Sequence, residues 1–234
     1  MYNVFMNNVI KRLEGKVIVS VQAMPNEPLY QEACINAMMK SVVKGGAGAL
    51  RVAGVRDVKN AKRLFDVPVI GLTKPEVIPA NYKEIVYITP TLKEVIELIN
   101  AGADVIAFDG TMRKRPNGAD LSELIKYVKI NNRVSMADIS TLEEGLNAEK
   151  LGVDILSTTL SGYTQFSLNK GEGPDFELLE QLVKNTKVPV ILEGRIWTPE
   201  EVTKAFELGA YCVVIGSAIT RPQLITKRFV QRGL

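Results

Sequence analysis

The 234-residue sequence predicts a closed barrel of eight parallel β-strands alternating with α-helices, a (β/α)8 fold in a single domain over residues 1–234. Three observations predict it. Eight short apolar runs alternate with helical patterns, no change in composition divides the chain, and a glycine junction recurs at roughly every 50–57 residues, the length of two βα units.

The recurring junction predicts tight connections from a helix to the next strand. In each case a glycine follows a helical pattern and directly precedes an apolar run, at Gly46, Gly102, Gly152 and Gly209. A glycine just past a helix readily adopts the left-handed backbone conformation that ends the helix. We therefore expect positive φ angles at these positions.

Eight apolar runs rich in β-branched residues are predicted as buried strands. They span 17–22, 49–51, 69–74, 105–109, 134–138, 155–159, 190–193 and 213–216. Residues 86–89 are a ninth candidate. Because the capping-box pattern Thr91-x-x-Glu94 starts a helix right after them, we interpret 86–89 as an extended piece outside the barrel.

Other helix starts carry capping residues, and the first helix has a distinct position. The start signals are Asp120-x-x-Glu123, Thr141-x-x-Glu144 and Thr198 followed by Pro199. Residues 1–16 predict a short amphipathic helix that covers the amino-terminal end of the barrel. Its apolar side consists of Val4, Phe5, Val9, Ile10 and Leu13.

A doubly wound open sheet is the alternative fold. Eight regular units fit a closed barrel better, and no G-x-G-x-x-G motif follows the first strand.

Composition excludes several classes of protein. Hydrophobic residues make up 46% and charged residues 24%, as in an ordinary globular protein, and the net charge of +3 is too small to favour nucleic acid. No apolar run is long enough to span a membrane, and the start does not resemble a signal peptide, so we expect a cytoplasmic protein. Cys34 and Cys212 have no metal or redox spacing and are expected to be reduced core thiols.

The chain contains no histidine. This absence removes the commonest general base, the commonest metal ligand and every Ser–His or Cys–His nucleophile pair. Proton transfer must therefore use Lys, Asp, Glu, Tyr or the substrate, and we expect no metal and no cofactor.

Polar side chains end nearly every predicted strand, whereas the opposite ends are apolar. Because the carboxyl ends of barrel strands form the functional face, we expect these side chains to surround one site. They are Gln22, Arg51, Lys74, Asp109, Asp138, Thr158 with Thr159, Glu193, and Gly216 with Ser217. Lys74 and Glu193 both follow a Val-Pro-Val-Ile run, and a charge buried there is costly unless the site uses it.

Glycines after the last two strands predict a phosphate site. Gly194 and Gly216 leave backbone N–H groups free to approach an anion at the two positions where this fold binds phosphate. Ser217 and either Arg195 or Arg221 add further donors. We expect the loop Arg113-Lys114-Arg115 to be solvated and only mildly attractive to anions.

A lysine, a glutamate and a phosphate site together suggest proton abstraction beside a carbonyl group. The lysine pKa, about 10.4 when unperturbed, must then fall toward neutrality. Burial and Arg51 would lower it, whereas an ionised Glu193 would raise it, and the sequence leaves this competition open.

At these residues the chain resembles the N-acetylmannosamine-6-phosphate 2-epimerases over essentially its whole length. The matching stretches are Ser20–Ala23, Ile70–Lys74, Ala137–Ile139, Thr158–Thr164 (T-T-L-S-G-Y-T), Glu193-Gly194 and Ala218–Pro222. Each is weak alone, but their order is specific.

The resemblance implies a TIM barrel that converts N-acetylmannosamine 6-phosphate to N-acetylglucosamine 6-phosphate in sialic acid catabolism, without a metal. It implies that Lys74 is the catalytic acid/base and that Glu193 lies beside the reacting carbon. Gln22, Arg51 and Asp138 would contact the sugar, and we add Thr158 as a substrate-binding candidate. The glycine turns and Arg221 would bind the phosphate.

Two other functions stay open at this point. One is a lyase in which Lys74 forms a Schiff base with a phosphorylated sugar; the other is a non-catalytic barrel that binds a sugar phosphate.

The expected partner is a small phosphorylated amino sugar, not nucleic acid or a membrane. The segment 222–234, with Ile225, Phe229 and Val230 on one side, is predicted to pack on its own barrel or to form a homodimer.

Overall fold

The computed structural model describes residues 2–168 and 171–231 and, within the first helix, the side chains from Asn8 onward. Eight parallel strands form a closed barrel in which each strand pairs with the next and β8 pairs with β1. The strands are β1 (Val17–Val21), β2 (Ala49–Ala53), β3 (Val69–Leu72), β4 (Val105–Asp109), β5 (Val134–Asp138), β6 (Ile155–Ser157), β7 (Val190–Glu193) and β8 (Cys212–Ile215). The predicted TIM barrel is confirmed.

Helices follow the strands around the barrel. They are α1 (Tyr2–Leu13), α2 (Glu32–Lys44), α3 (Val55–Leu64), α4 (Leu92–Asn100), α5 (Leu121–Ile130), α6 (Leu142–Lys150), α7 (Phe176–Asn185), α8 (Pro199–Glu207), α9 (Ser217–Thr220) and α10 (Pro222–Gln231). Among the described residues, no helix combines the length and the apolar character needed to cross a membrane.

Strand boundaries differ from the prediction mainly at the carboxyl ends. β3 ends at Leu72, two residues before Lys74, and β6 ends at Ser157, where a short 3-10 helix (Thr158–Leu160) begins. β2 instead continues beyond Arg51 to Ala53. Residues 86–89 lie outside the sheet, as expected.

The local signals of the sequence match the structure. Gly46, Gly102, Gly152 and Gly209 all have φ between 89° and 98°, in the left-handed region that favours glycine. Complete capping boxes start α4, α6 and α8, and Asp120 caps α5 through the N–H of Ser122.

Helix α1 lies across the amino-terminal end of the barrel. Its Val9 and Leu13 are buried in the apolar cluster that also contains Ile18, Cys212 and other residues from the barrel interior. The Tyr211 hydroxyl donates to the Ile10 carbonyl at 3.1 Å and anchors the helix below β8. The expected cover is confirmed for the described side chains; Val4 and Phe5 lie outside them.

A second apolar cluster fills the layer between the barrel and its helices. With both faces of the sheet packed, most polar side chains lie at the strand ends, and buried Arg51 and Ser135, inside β2 and β5, are exceptions. Both cysteines are free thiols, with Cys212 buried and Cys34 partly buried.

Candidate active site

A cavity of about 430 Å³ opens at the carboxyl ends of the strands. Its lining includes most of the predicted site residues: Gln22, Arg51, Lys74, Glu193, Gly194, Arg195, Gly216, Ser217 and Arg221. Side chains that lie as far apart as positions 22 and 221 in the sequence therefore meet around a space suited to one small molecule.

Lys74 enters this cavity from the loop after β3. Its Nζ donates to Oε1 of Gln22 at 2.9 Å, and Gln22 Nε2 in turn donates to Ser20 Oγ at 2.8 Å. Burial lowers the pKa of Lys74 to about 8, with help from the positive charges of Arg51 and Arg221 and against the carboxylate of Glu193. The competition that the sequence left open is thus decided in favour of desolvation.

Arg51 joins two carboxylates at the base of the cavity. Its guanidinium contacts Asp138 with Nη1 and Nη2 at 3.0 and 2.6 Å, and Nη1 also contacts Glu193 Oε2 at 2.6 Å. Burial alone would lower the pKa of Arg51, but the two carboxylates raise it above its usual value. Arg51 therefore stays a fixed cation.

Glu193 is the last residue of β7, and its pKa is shifted in the opposite direction to that of Lys74. Burial raises the pKa of Glu193 to about 6; Arg51 lowers it and Asp138 raises it. The Thr159 hydroxyl lies 2.9 Å from Glu193 Oε2 and 2.8 Å from Asp138 Oδ1, between the two carboxylates. Lys74 and Glu193 thus both titrate near neutral pH, as acid–base catalysis requires.

Asp138 and Thr158 lie beneath the cavity and are not part of its lining. Asp138 is fully buried and holds Arg51. The Thr158 hydroxyl bonds to both the N–H and the carbonyl of Glu193, each at 3.0 Å. Their predicted contact with substrate stays a prediction, while the geometry shows that they fix the positions of Arg51 and Glu193.

The two glycine turns lie side by side on the cavity wall. Gly194 and Arg195 have φ of 111° and 56°, and Gly216 precedes the four-residue helix α9, which ends beside Arg221. Arg221 also contacts Glu27 Oε2 at 3.4 Å. Phosphate binding at these turns stays a prediction.

Arg195, predicted as a phosphate-binding candidate, donates hydrogen bonds to main-chain carbonyls of the protein itself. Its Nε donates to the Gly173 carbonyl at 2.7 Å, and its Nη1 donates to the Ser161 carbonyl. The guanidinium also lies 5.7 Å from the centre of the Tyr163 ring. These contacts tie the loop after β6 to the β7 turn.

Several cavity residues had no role assigned from the sequence, among them Thr159, Tyr87 and Trp197. Thr159 was recognised only as part of a strand end, and Tyr87 and Trp197 were not considered at all. Tyr87 lies in the irregular segment 86–89, whose position against the barrel is not encoded in any local pattern.

The expectation of a solvated loop at Arg113-Lys114-Arg115 is wrong. Arg113 and Arg115 are only 5% and 8% exposed, because they fold back toward Asp109 and nearby main-chain carbonyls; Lys114 alone is exposed. Alternating side chains of one charged tripeptide can face opposite directions, so the run of charge was misleading.

Within residues 2–168 and 171–231, no group of three or more Cys, Asp or Glu side chains lies close enough together to hold a metal ion. Metal independence stays a prediction.

The fold and the site together define a class: a TIM-barrel enzyme of acid–base chemistry, because two groups that titrate near neutral pH share one cavity at the functional face. The particular family follows from comparison with known proteins. The chain belongs to the NanE family, whose model, described as "Putative N-acetylmannosamine-6-phosphate epimerase", matches residues 35–233.

Relatives of known name support this membership. A protein of Clostridium perfringens and one of Clostridioides difficile, both named "Putative N-acetylmannosamine-6-phosphate 2-epimerase", are 51% and 49% identical to the chain. The first match covers 93% of this chain and 96% of the relative, and the second covers 95% and 98%. The resemblance noted in the sequence is confirmed.

Solved structures agree with the fold. The N-acetylmannosamine-6-phosphate 2-epimerase from Clostridium perfringens superimposes with a TM-score of 0.90 at 50% identity and 95% coverage of each chain. A thiamine phosphate pyrophosphorylase from Pyrococcus furiosus, at 17% identity and a TM-score of 0.60, shares the fold alone.

Proposed function

We propose that this chain interconverts N-acetylmannosamine 6-phosphate and N-acetylglucosamine 6-phosphate by removing and returning a proton at C2. The activity is the one in the names of its relatives, which it matches over nearly their whole length. The observation that carries the proposal is that Lys74, with a pKa of about 8, shares one cavity with Glu193, with a pKa of about 6.

Proton abstraction requires the open-chain form of the sugar. Its aldehyde acidifies the hydrogen on C2, the carbon that bears the N-acetyl group. Neutral Lys74 takes that proton, and a pKa near 8 leaves a useful fraction of the amine unprotonated at neutral pH. The contact with Gln22 fixes the direction in which Nζ points.

The enolate that forms must be stabilised as its charge develops. Arg51, a permanent cation in the cavity wall, and the new ammonium of Lys74 are the nearby positive groups. Reprotonation on the opposite face inverts C2. Either Glu193 supplies that proton, or Lys74 serves both faces after the planar intermediate rotates; we favour a single lysine with Glu193 orienting it or assisting ring opening.

The phosphate would bind on the side of the cavity opposite Lys74, at the turns after β7 and β8. The residues there are Gly194, Arg195, Gly216, Ser217 and Arg221. In this proposal residues 1–234 form one catalytic domain that works in the cytoplasm, in sialic acid catabolism, without metal or cofactor.

We also propose that the enzyme is a homodimer. None of the residues of α10 is buried, and Phe229 and Val230 are 76% and 61% exposed, which supports a partner for this helix. Residues 232–234 of the predicted segment lie outside the described part.

The deciding experiment is turnover in deuterium oxide followed by NMR. We expect solvent deuterium at C2 of the product in both directions, because the proton on Lys74 can exchange with solvent. Lys74→Ala should lower kcat toward the upper end of the general acid–base range of about 10²–10⁴-fold. Lys184→Ala, at an exposed position on α7, is the control and should retain wild-type activity.

Other results would contradict the mechanism. Epimerisation with no exchange would indicate a shielded base or a redox route. A borohydride-trapped adduct of substrate on Lys74 would instead indicate Schiff-base chemistry.

A further inference from the structure

Three buried charged residues at the carboxyl end of β4 have no part in the mechanism above. Asp109 is completely buried, and Arg113 and Arg115 are nearly so. Burying charge costs free energy unless each group is well paired, so the contacts of this cluster indicate what the fold uses it for.

The cluster is anchored by its carboxylate. Asp109 Oδ2 accepts from Arg113 Nη2 at 2.5 Å, and Oδ1 accepts from the Thr111 hydroxyl at 2.7 Å. Arg115 Nη2 donates to the Asp109 main-chain carbonyl. The two arginines are therefore held on a single buried residue of β4.

From there both arginines reach the irregular segment between β3 and α4. Arg113 Nη1 donates to the Tyr82 carbonyl at 2.9 Å, and Arg115 Nη1 donates to the Pro90 carbonyl at 3.0 Å. The two contacts lie near opposite ends of residues 82–90. This segment is not a strand or a helix, yet it is fixed at both ends by buried guanidinium groups.

Further hydrogen bonds fix residues 88 and 89 of the same segment against the barrel. The Thr89 N–H donates to the Thr73 carbonyl at 3.1 Å, and the Thr73 N–H donates to the Thr89 hydroxyl at 3.0 Å. The Asp109 N–H donates to the Ile88 carbonyl at 3.1 Å. Residues 87 and 88 are thereby placed in the wall of the cavity.

Tyr87 is the polar side chain that this arrangement presents to the cavity. Its ring packs edge-on against Tyr82, with centroids 6.3 Å apart. The hydrogen bonds of the described residues provide no partner for its hydroxyl. Burial raises the pKa of Tyr87 to about 12, so the hydroxyl keeps its proton and can donate.

We propose that the Asp109–Arg113–Arg115 cluster holds residues 82–90 so that the Tyr87 hydroxyl donates a hydrogen bond to an oxygen of the open-chain amino sugar. Tyr87 is then a substrate-binding residue, and the two arginines are positioning residues. The segment lies between β3 and β4, across the barrel from the turns after β7 and β8. The oxygen therefore belongs to the sugar or its N-acyl group and not to the phosphate. This inference rests on the proposed epimerase function.

The first test compares two tyrosines of the same segment. Tyr87→Phe removes one hydroxyl and should lower kcat/KM about three- to tenfold, the usual effect of losing one neutral hydrogen bond. Tyr82→Phe is the matched control, because that ring packs on Tyr87 but does not line the cavity, and it should stay within twofold of wild type. A folded Tyr87→Phe protein with wild-type kcat/KM overturns the proposal.

The second test asks whether the cluster acts through Tyr87. Arg113→Lys keeps the charge but loses the planar fork, and it should lower kcat/KM by a similar factor. In the Tyr87→Phe background the same change should cost little more, because both act on one contact. Fully additive losses overturn the positioning role, and Arg115→Lys provides the same test if the first variant does not fold.

Failure of the proposed function would look different. Wild-type enzyme would then not epimerise the substrate at all, whereas this inference fails only if the wild type is active and Tyr87→Phe is equally active.

Discussion

Two buried ion clusters at the same end of the barrel differ in what they face. Arg51 with Asp138 and Glu193 lies at the base of the cavity, and one of its carboxylates, that of Glu193, is part of the lining. Asp109 with Arg113 and Arg115 lies outside the lining and contacts main-chain carbonyls.

This difference distinguishes a cluster that can take part in the reaction from one that has a structural role. In both clusters burial raises the pKa of a strand-end carboxyl, Glu193 in one and Asp109 in the other, against the pull of an arginine. Only Glu193 borders a space where a substrate can bind. A shifted pKa therefore indicates a functional group here only when a cavity accompanies it.

Among substitutions in the two clusters, Glu193→Gln should have the largest effect on activity. The amide has nearly the same size but cannot titrate, so kcat should fall about 10²–10³-fold. Steady-state kinetics checks this, and circular dichroism confirms the fold. Activity within tenfold of wild type would remove Glu193 from the mechanism.

The same variant has a signature in stability. The pKa of Glu193 is raised in the folded state from 4.5 to about 6, so its contribution to stability is present below pH 4.5 and is lost as the pH rises through 6. Glutamine has no such dependence. Between pH 4.5 and about 6, the free energy of unfolding of the wild type should therefore fall relative to that of Glu193→Gln, as measured by urea denaturation. If the free energies of the two proteins depend on pH in the same way, the raised pKa is contradicted.

Asp109→Ala should act mainly on stability. It leaves Arg113 buried without its carboxylate, and breaking a buried pair in this way costs about 3–5 kcal/mol. Urea denaturation at pH 7 measures the loss. Asp66→Ala, at a fully exposed aspartate 3.9 Å from Arg12, is the control and should change the free energy of unfolding by less than about 1 kcal/mol. Equal effects of the two variants would show that the Asp109 cluster is not a structural anchor.

Thr159→Val should give the smallest effect. The hydroxyl stabilises ionised Glu193 and lowers its pKa, so valine should raise that pKa above about 6, and Thr159→Ser should restore it. Carbon-13 NMR of labelled glutamate measures the titration, with the signal assigned by its loss in Glu193→Gln. An unchanged or lower pKa in the valine variant would contradict a direct bond.

Local patterns predicted the elements well because their signals are local. The glycines at the helix-to-strand junctions and the capping boxes at Thr91 and Thr141 each depend on a few neighbouring residues, and all of them formed as expected. The ring of polar strand ends was predictable because the fold places every carboxyl end on one rim. The prediction that Arg113 is solvated was wrong because its burial depends on carbonyls about 30 residues earlier in the chain.

The sequence alone determined the barrel, the rim on which the chemistry lies, and the pairing of Lys74 with Glu193 as candidates. Periodicity and strand ends carry that information. Tertiary structure alone decided the direction of the Lys74 pKa shift, the placement of Asp138 and Thr158 below the cavity, and the entry of Tyr87 into its wall. Each of these depends on distances between strands and loops far apart in the chain, and both desolvation and Coulomb energy are set by such distances.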